Sequence, residues 1–584
     1  MARVSTCLAA ALLSAVASHA SAQIADFKPV TEEVLANPDP ADWLMISRTF
    51  DQHRFSPLNQ INKDNVGQLR MAWTRGLPAG SQESTPLVYR GVMYIAAPGG
   101  TVQAINATNG DLIWEYARDY PKEINPRLSR PKNLGIFEDM IYFGAPDGVL
   151  VALEATTGKV RWETKTDNGG ITAGGILVAD GKVLTNRTCI REVRREFCFI
   201  AAHDARTGKE VWRFHTTAAA GEPGGDTWAD MPTELRAASP WGLPGSYDPK
   251  RKVTYWGVAN PDPYTRLSRH GRHDAVSFVA PANLYSNSTV ALDIATGKLA
   301  WYYQELPGED WDADHNHERI LLRTLVNPDA RHVKWRATDL PRNQEREVVV
   351  TVGEGGGLFV VERDGGKFLW AHPFPYDNPD FNMSEINPET GQTHINVDKL
   401  FKKDGDKILG CFHNTRSLWS IAYHPKKNAL YVPFQDQCLS MTANLKAKSG
   451  WGPRVGVMRP GIDPNKFMNL ARIDLATGEM KVLYSQPQPS QASALVTDGD
   501  LVFWGDANRR FRAFDADSGK VLWETIVGGL VMTSTITYAV DGKQYVAILT
   551  GDGQSVTAGP LSITKKAMAP PVRGHNSVVV FALP

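Results

Sequence analysis

The segment Gly308–Glu318, GEDWDADHNHE, concentrates side chains able to do chemistry. Asp312 and Asp314 are two residues apart, and in an extended segment such neighbours face the same side. Two carboxylates presented to one point need a counter-cation, and a hard multivalent metal with oxygen ligands supplies one. The plainer alternative is a solvated acidic loop with flanking histidines. A second segment, Tyr255–Tyr264 (YWGVANPDPY), puts Asn260 before a Pro-x-Pro corner at a strand end, where a side-chain amide oxygen can be aimed inward. Its alternative is a turn-forming Asn before Pro.

The elements that would carry these residues come from a repeated phrase: an alternating apolar run, Asp-x-x-Thr-Gly-Lys or a variant, then an apolar run ending in Trp. It occurs at Ala104–Trp114, Ala152–Trp162, Ala202–Trp212, Ala291–Trp301, Val361–Trp370 and Ala513–Trp523. A copy at Ala471–Leu483 has lost its Trp, and Trp73 is the tail of another, making about eight units. Each phrase reads as strand, tight turn, strand. Trp114, Trp162 and Trp212 are spaced by 48 and 50 residues, the length of a four-stranded propeller blade. The fold class is therefore all-β, an eight-bladed β-propeller with tryptophan docking motifs. Wider gaps, such as Trp212 to Trp301, are blades with functional insertions.

Residues 23–584 are expected to form this single propeller, and residues 1–22 a secretory signal: Arg3, an apolar run through Val16, and Ala20-Ser21-Ala22 before Gln23. The run is too short to span a bilayer, and no later stretch is long and apolar enough to do so. An exported, periplasmic protein follows. The 63 acidic and 63 basic residues give zero formal charge, which argues against a nucleic-acid or anionic-membrane partner. Without Cys7 four cysteines remain, and we pair Cys189 with Cys198 and Cys411 with Cys438 as disulfides, against free buried thiols. No His stands at zinc spacing beside them.

The Trp phrase, GVANPDPY, the WDAD segment, Gln82–Ile95 (QESTPLVYRGVMYI) and the stretch Leu501–Leu549 together resemble the quinoprotein alcohol dehydrogenases, which use pyrroloquinoline quinone (PQQ). The resemblance runs from about Asp42 to the carboxyl terminus. It implies that Asp312 is the catalytic base and a metal ligand, that Asn260 is a metal ligand, and that Glu83 bonds the cofactor. Trp241 would be the platform on which the flat cofactor lies. Asp314 matches an additional Asp ligand of lanthanide-using members, so the metal is Ca2+ or a lanthanide ion. Thr172, Ser239 and Trp419 are further cofactor contacts.

Several positions depart from the family pattern. Its vicinal Cys-Cys pair is absent. Lys132 or Arg130 stands where an Arg contacts PQQ. The acidic metal ligand expected after Val183 has only Glu192, or less well Glu196, as a substitute. A basic residue near the reactive carbonyl is replaced by Glu354, and near Trp419 the usual Asn is replaced by Ser417 or served by Arg416.

The resemblance implies a small-molecule alcohol as substrate and an external electron acceptor, a soluble cytochrome c or similar, because the chain has no Cys-x-x-Cys-His for a covalent haem. A bulky secondary alcohol such as a trichothecene mycotoxin hydroxyl fits the divergent pocket. The alternatives are a sugar or polyol quinoprotein and a non-catalytic propeller scaffold of outer-membrane assembly. Access depends on Thr217–Arg236 and Pro375–Asp404.

Overall fold

A computed structural model describes residues 24, 26–166, 174–187, 189, 195–412, 416–452, 454–552 and 574–584. The expected signal segment, Thr172 and Glu192 lie outside them. The fold is all-β. Among the described residues, eight sheets carry four or five strands, nearly all joined as antiparallel meanders; one runs Leu87–Tyr89, Val92–Ala97, Thr101–Asn106, Leu112–Tyr116. One sheet is built from both ends of the chain: Arg70–Gly76 pairs antiparallel with Ser577–Ala582, so an early strand completes the last sheet. Trp73, read as the tail of a phrase, lies on that strand.

The repeated phrase has a mechanical explanation. In Asp204-Ala-Arg-Thr-Gly the Asp204 carboxylate accepts the amides of Arg206 (3.1 Å) and Thr207 (2.9 Å), and the Gly208 amide closes the turn on the Asp204 carbonyl at 2.8 Å. Gly208 sits at φ 73°, which glycine adopts without steric cost. A Cβ there would also lie 2.5 Å from the Trp162 ring of the preceding phrase. The same Trp162 donates its indole N–H to the carbonyl of Ala205 in that turn at 3.2 Å. This clasp recurs from Trp73 to Ala107, Trp114 to Ala155, Trp212 to Ile294 and Trp301 to Arg363. Trp523 reaches the carbonyl of Leu69 (3.1 Å), just before the strand of Trp73. Trp370 is fully buried with an unbonded indole N–H; Val333 occupies the space over Gly478, where the clasp would form.

Each of the eight large sheets also has a register shift, in seven of them in the outermost strand pair and in the sheet of Trp370 one pair further in. The shift falls beside the docking Trp, or beside Leu483 in the copy without one. A bulge re-aims the side chain next to it, and here it turns the Trp toward the following turn.

The segments that depart from the repeat lie off these sheets. Asn260 follows the strand Val253–Gly257, and the next two residues, Pro261–Asp262, pair with Ala237–Ala238, three residues before Trp241. That short ribbon fixes Asn260 and Trp241 relative to each other. Cys189 bonds Cys198, and Cys411 bonds Cys438, as expected. The second pair brackets the hairpin Ala422–His424/Ala429–Gln435.

Candidate functional site

The expectation that Gly308–Glu318 is extended fails. No strand covers it, and Asp312 adopts φ 61°, a left-handed conformation in which Asp is enriched among non-glycine residues. The cause is Glu309, whose buried carboxylate accepts the amides of Trp311 and of Ala313 (3.3 Å) and curls the loop on itself. Asp310 adds two anchors, accepting the amides of Arg266 (2.6 Å) and Phe401 (2.9 Å). The glycine run Gly353–Gly357 lets the loop approach: a Cβ on Gly355 would stand 2.6 Å from that of Ala313. The Glu354 amide then donates to the Asp314 carbonyl at 2.8 Å.

Asp312 and Asp314 hold different partners. Asp312 Oδ2 accepts from Arg454 Nη1 at 2.7 Å. Asp314 Oδ2 accepts the Trp241 indole N–H at 2.7 Å, and its Oδ1 accepts the backbone N–H of Asn260 at 3.1 Å, while the Asn260 side-chain Nδ2 donates to the Pro261 carbonyl. Burial pushes Asp312 up to about 6, with Arg454 acting against it. Asp314 is pushed well above the usual carboxylate range by burial and then by the charge of Asp312, so the two interact electrostatically despite the curl.

Trp241 extends the site. Lys132 Nζ lies 6.0 Å from the centre of its ring and donates to Glu83 Oε2 at 2.6 Å, an ion pair with both side chains almost wholly buried. The structure thus brings Glu83, Lys132, Trp241, Asp314 and Asn260 into one connected set.

Of the other expected residues, Ser239 touches this set through the Trp241 amide, and the rest stand apart. Trp419 is buried and gives its indole N–H to the Pro433 carbonyl (2.9 Å). The Ser239 hydroxyl donates to the Arg187 carbonyl and accepts the amides of Cys189 and Trp241. Arg416 is committed to Glu318, at 2.6 and 2.7 Å. Glu196 lines a recess of about 540 Å³ with His215, Thr233 and Glu234, and none of Asp312, Asp314 or Asn260 shares that lining.

Two contributors were not anticipated, and a third, Glu354, was read only as the loss of a basic contact. Arg454 comes from the segment after Trp451. Asp262 is buried, its Oδ2 has no hydrogen-bond partner, and burial followed by the charge of Asp312 pushes it up to about 7. Glu354 accepts from Ser417 Oγ at 3.1 Å and is pushed up by burial and by Asp314 and Asp312. The position of Asp262, two residues after Asn260 in the Pro-x-Pro corner, could have flagged it; Arg454 had no local signal.

Comparison with known proteins decides the family. The family model described as PQQ glucose/ethanol/alcohol dehydrogenase, β-propeller domain, matches residues 43–160, 165–373 and 469–546. The chain belongs to the quinoprotein alcohol dehydrogenase family.

It is 30% identical to the dehydrogenase subunit of a quinone alcohol dehydrogenase from Gluconacetobacter polyoxogenes, over 94% of this chain and 76% of that protein. It is 29% identical to a quinoprotein ethanol dehydrogenase from Pseudomonas putida, over 97% and 95%. The solved quinohemoprotein alcohol dehydrogenase ADHIIG from Pseudomonas putida HK5 superposes with a TM-score of 0.78 at 25% identity, covering 95% of this chain and 83% of that one. A europium-containing methanol dehydrogenase shares the fold, with a TM-score of 0.81 over 94% of this chain and all of that one, at 24% identity. As a quinoprotein alcohol dehydrogenase, the protein is an oxidoreductase that uses PQQ.

The residues of this quinoprotein suit such a cofactor and a cation. The buried carboxylates of Asp262, Asp314 and Glu354 each feel the charge of the half-buried Asp312, and the unpartnered Asp262 oxygen is one that a cation or its water would satisfy. Among the described residues no three His, Cys, Asp or Glu side chains converge as a ready metal cage. Carboxylate oxygens such as those of Asp262, Asp312 and Asp314 are the donors a hard cation prefers. The Trp241 ring with Lys132 beside it offers a flat apolar face next to a cation, suited to a planar anionic quinone.

Proposed function

We propose that this chain is a periplasmic PQQ-dependent dehydrogenase that oxidises an alcohol to the aldehyde or ketone, with Asp312 as the base. The supporting observation is the Asp312 carboxylate itself, fixed by the loop that Glu309 curls and paired with Arg454, next to the buried Asp314 carboxylate. When bound, PQQ supplies a hydride-accepting oxidant and the cation a Lewis acid.

The chain's own residues do the rest. Asp312 takes the alcohol proton. Asp312, Asp314 and the Asn260 carboxamide hold Ca2+ or a lanthanide ion; Asp314, already oriented by Trp241, adds the negative charge a trivalent ion favours. Trp241 carries the quinone, and Lys132 and Glu83 border it. Glu192 and Thr172 keep the roles read from sequence, as the acidic metal ligand and a cofactor hydroxyl. Residues 23–584 form one propeller of eight blades behind a signal at 1–22, and electrons leave to an external carrier such as a soluble cytochrome c. No helix among the described residues is long and apolar enough to cross a membrane. A bulky secondary alcohol, of which a trichothecene hydroxyl is one, is the preferred substrate.

The test is dye-linked alcohol oxidation by the apoprotein reconstituted with PQQ plus Ca2+ or a light lanthanide. Activity that needs both quinone and metal is expected. No activity and no PQQ binding with either ion would overturn the reading.

A further inference from the structure

Arg454 lies on the solvent side of Asp312: its side chain is 39% exposed and that of Asp312 17%. It is held there by stacking. Its guanidinium carbon stands 4.5 Å over the Trp451 ring, which in turn stacks on Tyr264 with centroids 4.2 Å apart and planes 22° apart. Trp451 Nε1 donates to the Asp310 carbonyl at 3.0 Å, two residues before Asp312, and the Tyr264 amide donates to the Ser449 carbonyl at 3.1 Å. Val455–Met458, directly after Arg454, pairs with Gln437–Ser440, the strand bearing the disulfide of Cys438. The guanidinium is therefore fixed to the same framework as the carboxylate it meets.

A guanidinium carries five N–H donors in a rigid fork. Among the described residues Arg454 spends one, through Nη1, on Asp312. The others are left for solvent or a bound molecule, beside the oxygen that would receive an alcohol proton. A molecule whose hydroxyl reaches Asp312 lies next to that fork, and its adjacent carbon comes within reach of the remaining donors. A hydrogen-bond acceptor on that carbon would meet a charged donor; a methylene there would leave the donor desolvated and unpaired, which discriminates more strongly than a gained apolar contact.

We propose that Arg454 is a substrate-binding residue that selects alcohols carrying an oxygen acceptor (ether, hydroxyl, carbonyl or carboxylate) one carbon from the carbinol. The proposal rests on the reading of Asp312 as the base. It names the substrate class of that site.

The test uses two near-isosteric secondary alcohols, 1-methoxy-2-propanol and 2-pentanol, with the enzyme loaded with PQQ and Ca2+, as wild type, Arg454→Lys and Arg454→Met. A charge-assisted hydrogen bond predicts a kcat/KM preference of about 10- to 100-fold for the ether in the wild type. Arg454→Met should lose that preference, mainly through KM, and Arg454→Lys should keep part of it. A second readout needs no turnover: calorimetric binding of the non-oxidisable tertiary analogues 1-methoxy-2-methyl-2-propanol and 2-methyl-2-pentanol should show the same Arg454-dependent difference. Equal use of both alcohols by the wild type, or an equal loss on both through kcat in Arg454→Met, would reduce Arg454 to positioning Asp312 and overturn the proposal. Arg454-dependent binding of the tertiary ether without oxidation of either secondary alcohol would instead count against Asp312 as the base and leave the recognition standing.

Discussion

The indole N–H of Trp241 donates to Asp314 Oδ2 at 2.7 Å, joining the face expected to carry the quinone to the carboxylate expected to complete the metal site. The expected quinone face and the expected metal ligand are therefore not independent: a change at Trp241 is felt at Asp314. Trp241→Phe keeps an aromatic face but removes the donor. Loss of such an orienting bond costs a ligand about 10- to 100-fold in metal affinity, and titration of the variant with Ca2+ and with a light lanthanide should show a loss in that range. Unchanged affinity for both ions would separate Asp314 from the metal.

Asp314→Ala removes one negative charge from the proposed metal site and keeps the Asp312 carboxylate in place. Activity supported by a lanthanide should fall far more than activity supported by Ca2+, since the trivalent ion gains more from each added carboxylate. The check is the ratio of the two activities at saturating metal, compared with wild type.

Asp312→Asn keeps the shape and removes the base. Turnover should fall by about 10²- to 10⁴-fold, while PQQ binding, followed by its absorbance, persists. Turnover close to wild type would end the assignment of Asp312 as proton acceptor.

How far these residues could be read from sequence depends on how local their signals are. The Trp clasp was legible because Asp204, Thr207, Gly208 and Trp212 lie within nine positions, and each residue type has one mechanical use in the turn or the bulge. Asp312, Asp314 and Asn260 were legible because they break that repeat. Their geometry was not: the extended reading ignored Glu309, whose carboxylate competes for the backbone amides and curls the loop. Arg454 reaches Asp312 across 142 residues, a contact only the assembled ring creates. Glu354 looked like a lost basic contact, and its carboxylate instead joins the acidic cluster.

The clasp makes its own prediction. Gly208→Ala forces a Cβ to within 2.5 Å of the Trp162 ring at a left-handed φ of 73°. Overpacking of this kind costs about 1–3 kcal/mol, and the backbone penalty adds to it. Thermal unfolding should show a lowered Tm, whereas Gly181→Ala, also left-handed (φ 67°) but open to space, should cost only the backbone part. Equal losses would mean that the glycine serves the turn alone.

Burial pushes Asp312 up to about 6, and burial together with Asp312 pushes Asp314 well above the usual carboxylate range. A cation binds the ionised carboxylates, so protons compete with it below those values and must leave when it binds. Metal affinity of the apoprotein should therefore strengthen as pH rises from about 5 to about 8. Calorimetric titration with Ca2+ near pH 6, in two buffers of different protonation heat, should show net proton release, and Asp314→Ala should release fewer protons than wild type. Affinity that is flat across this range, with no proton release, would mean that the cation is held by groups other than Asp312 and Asp314.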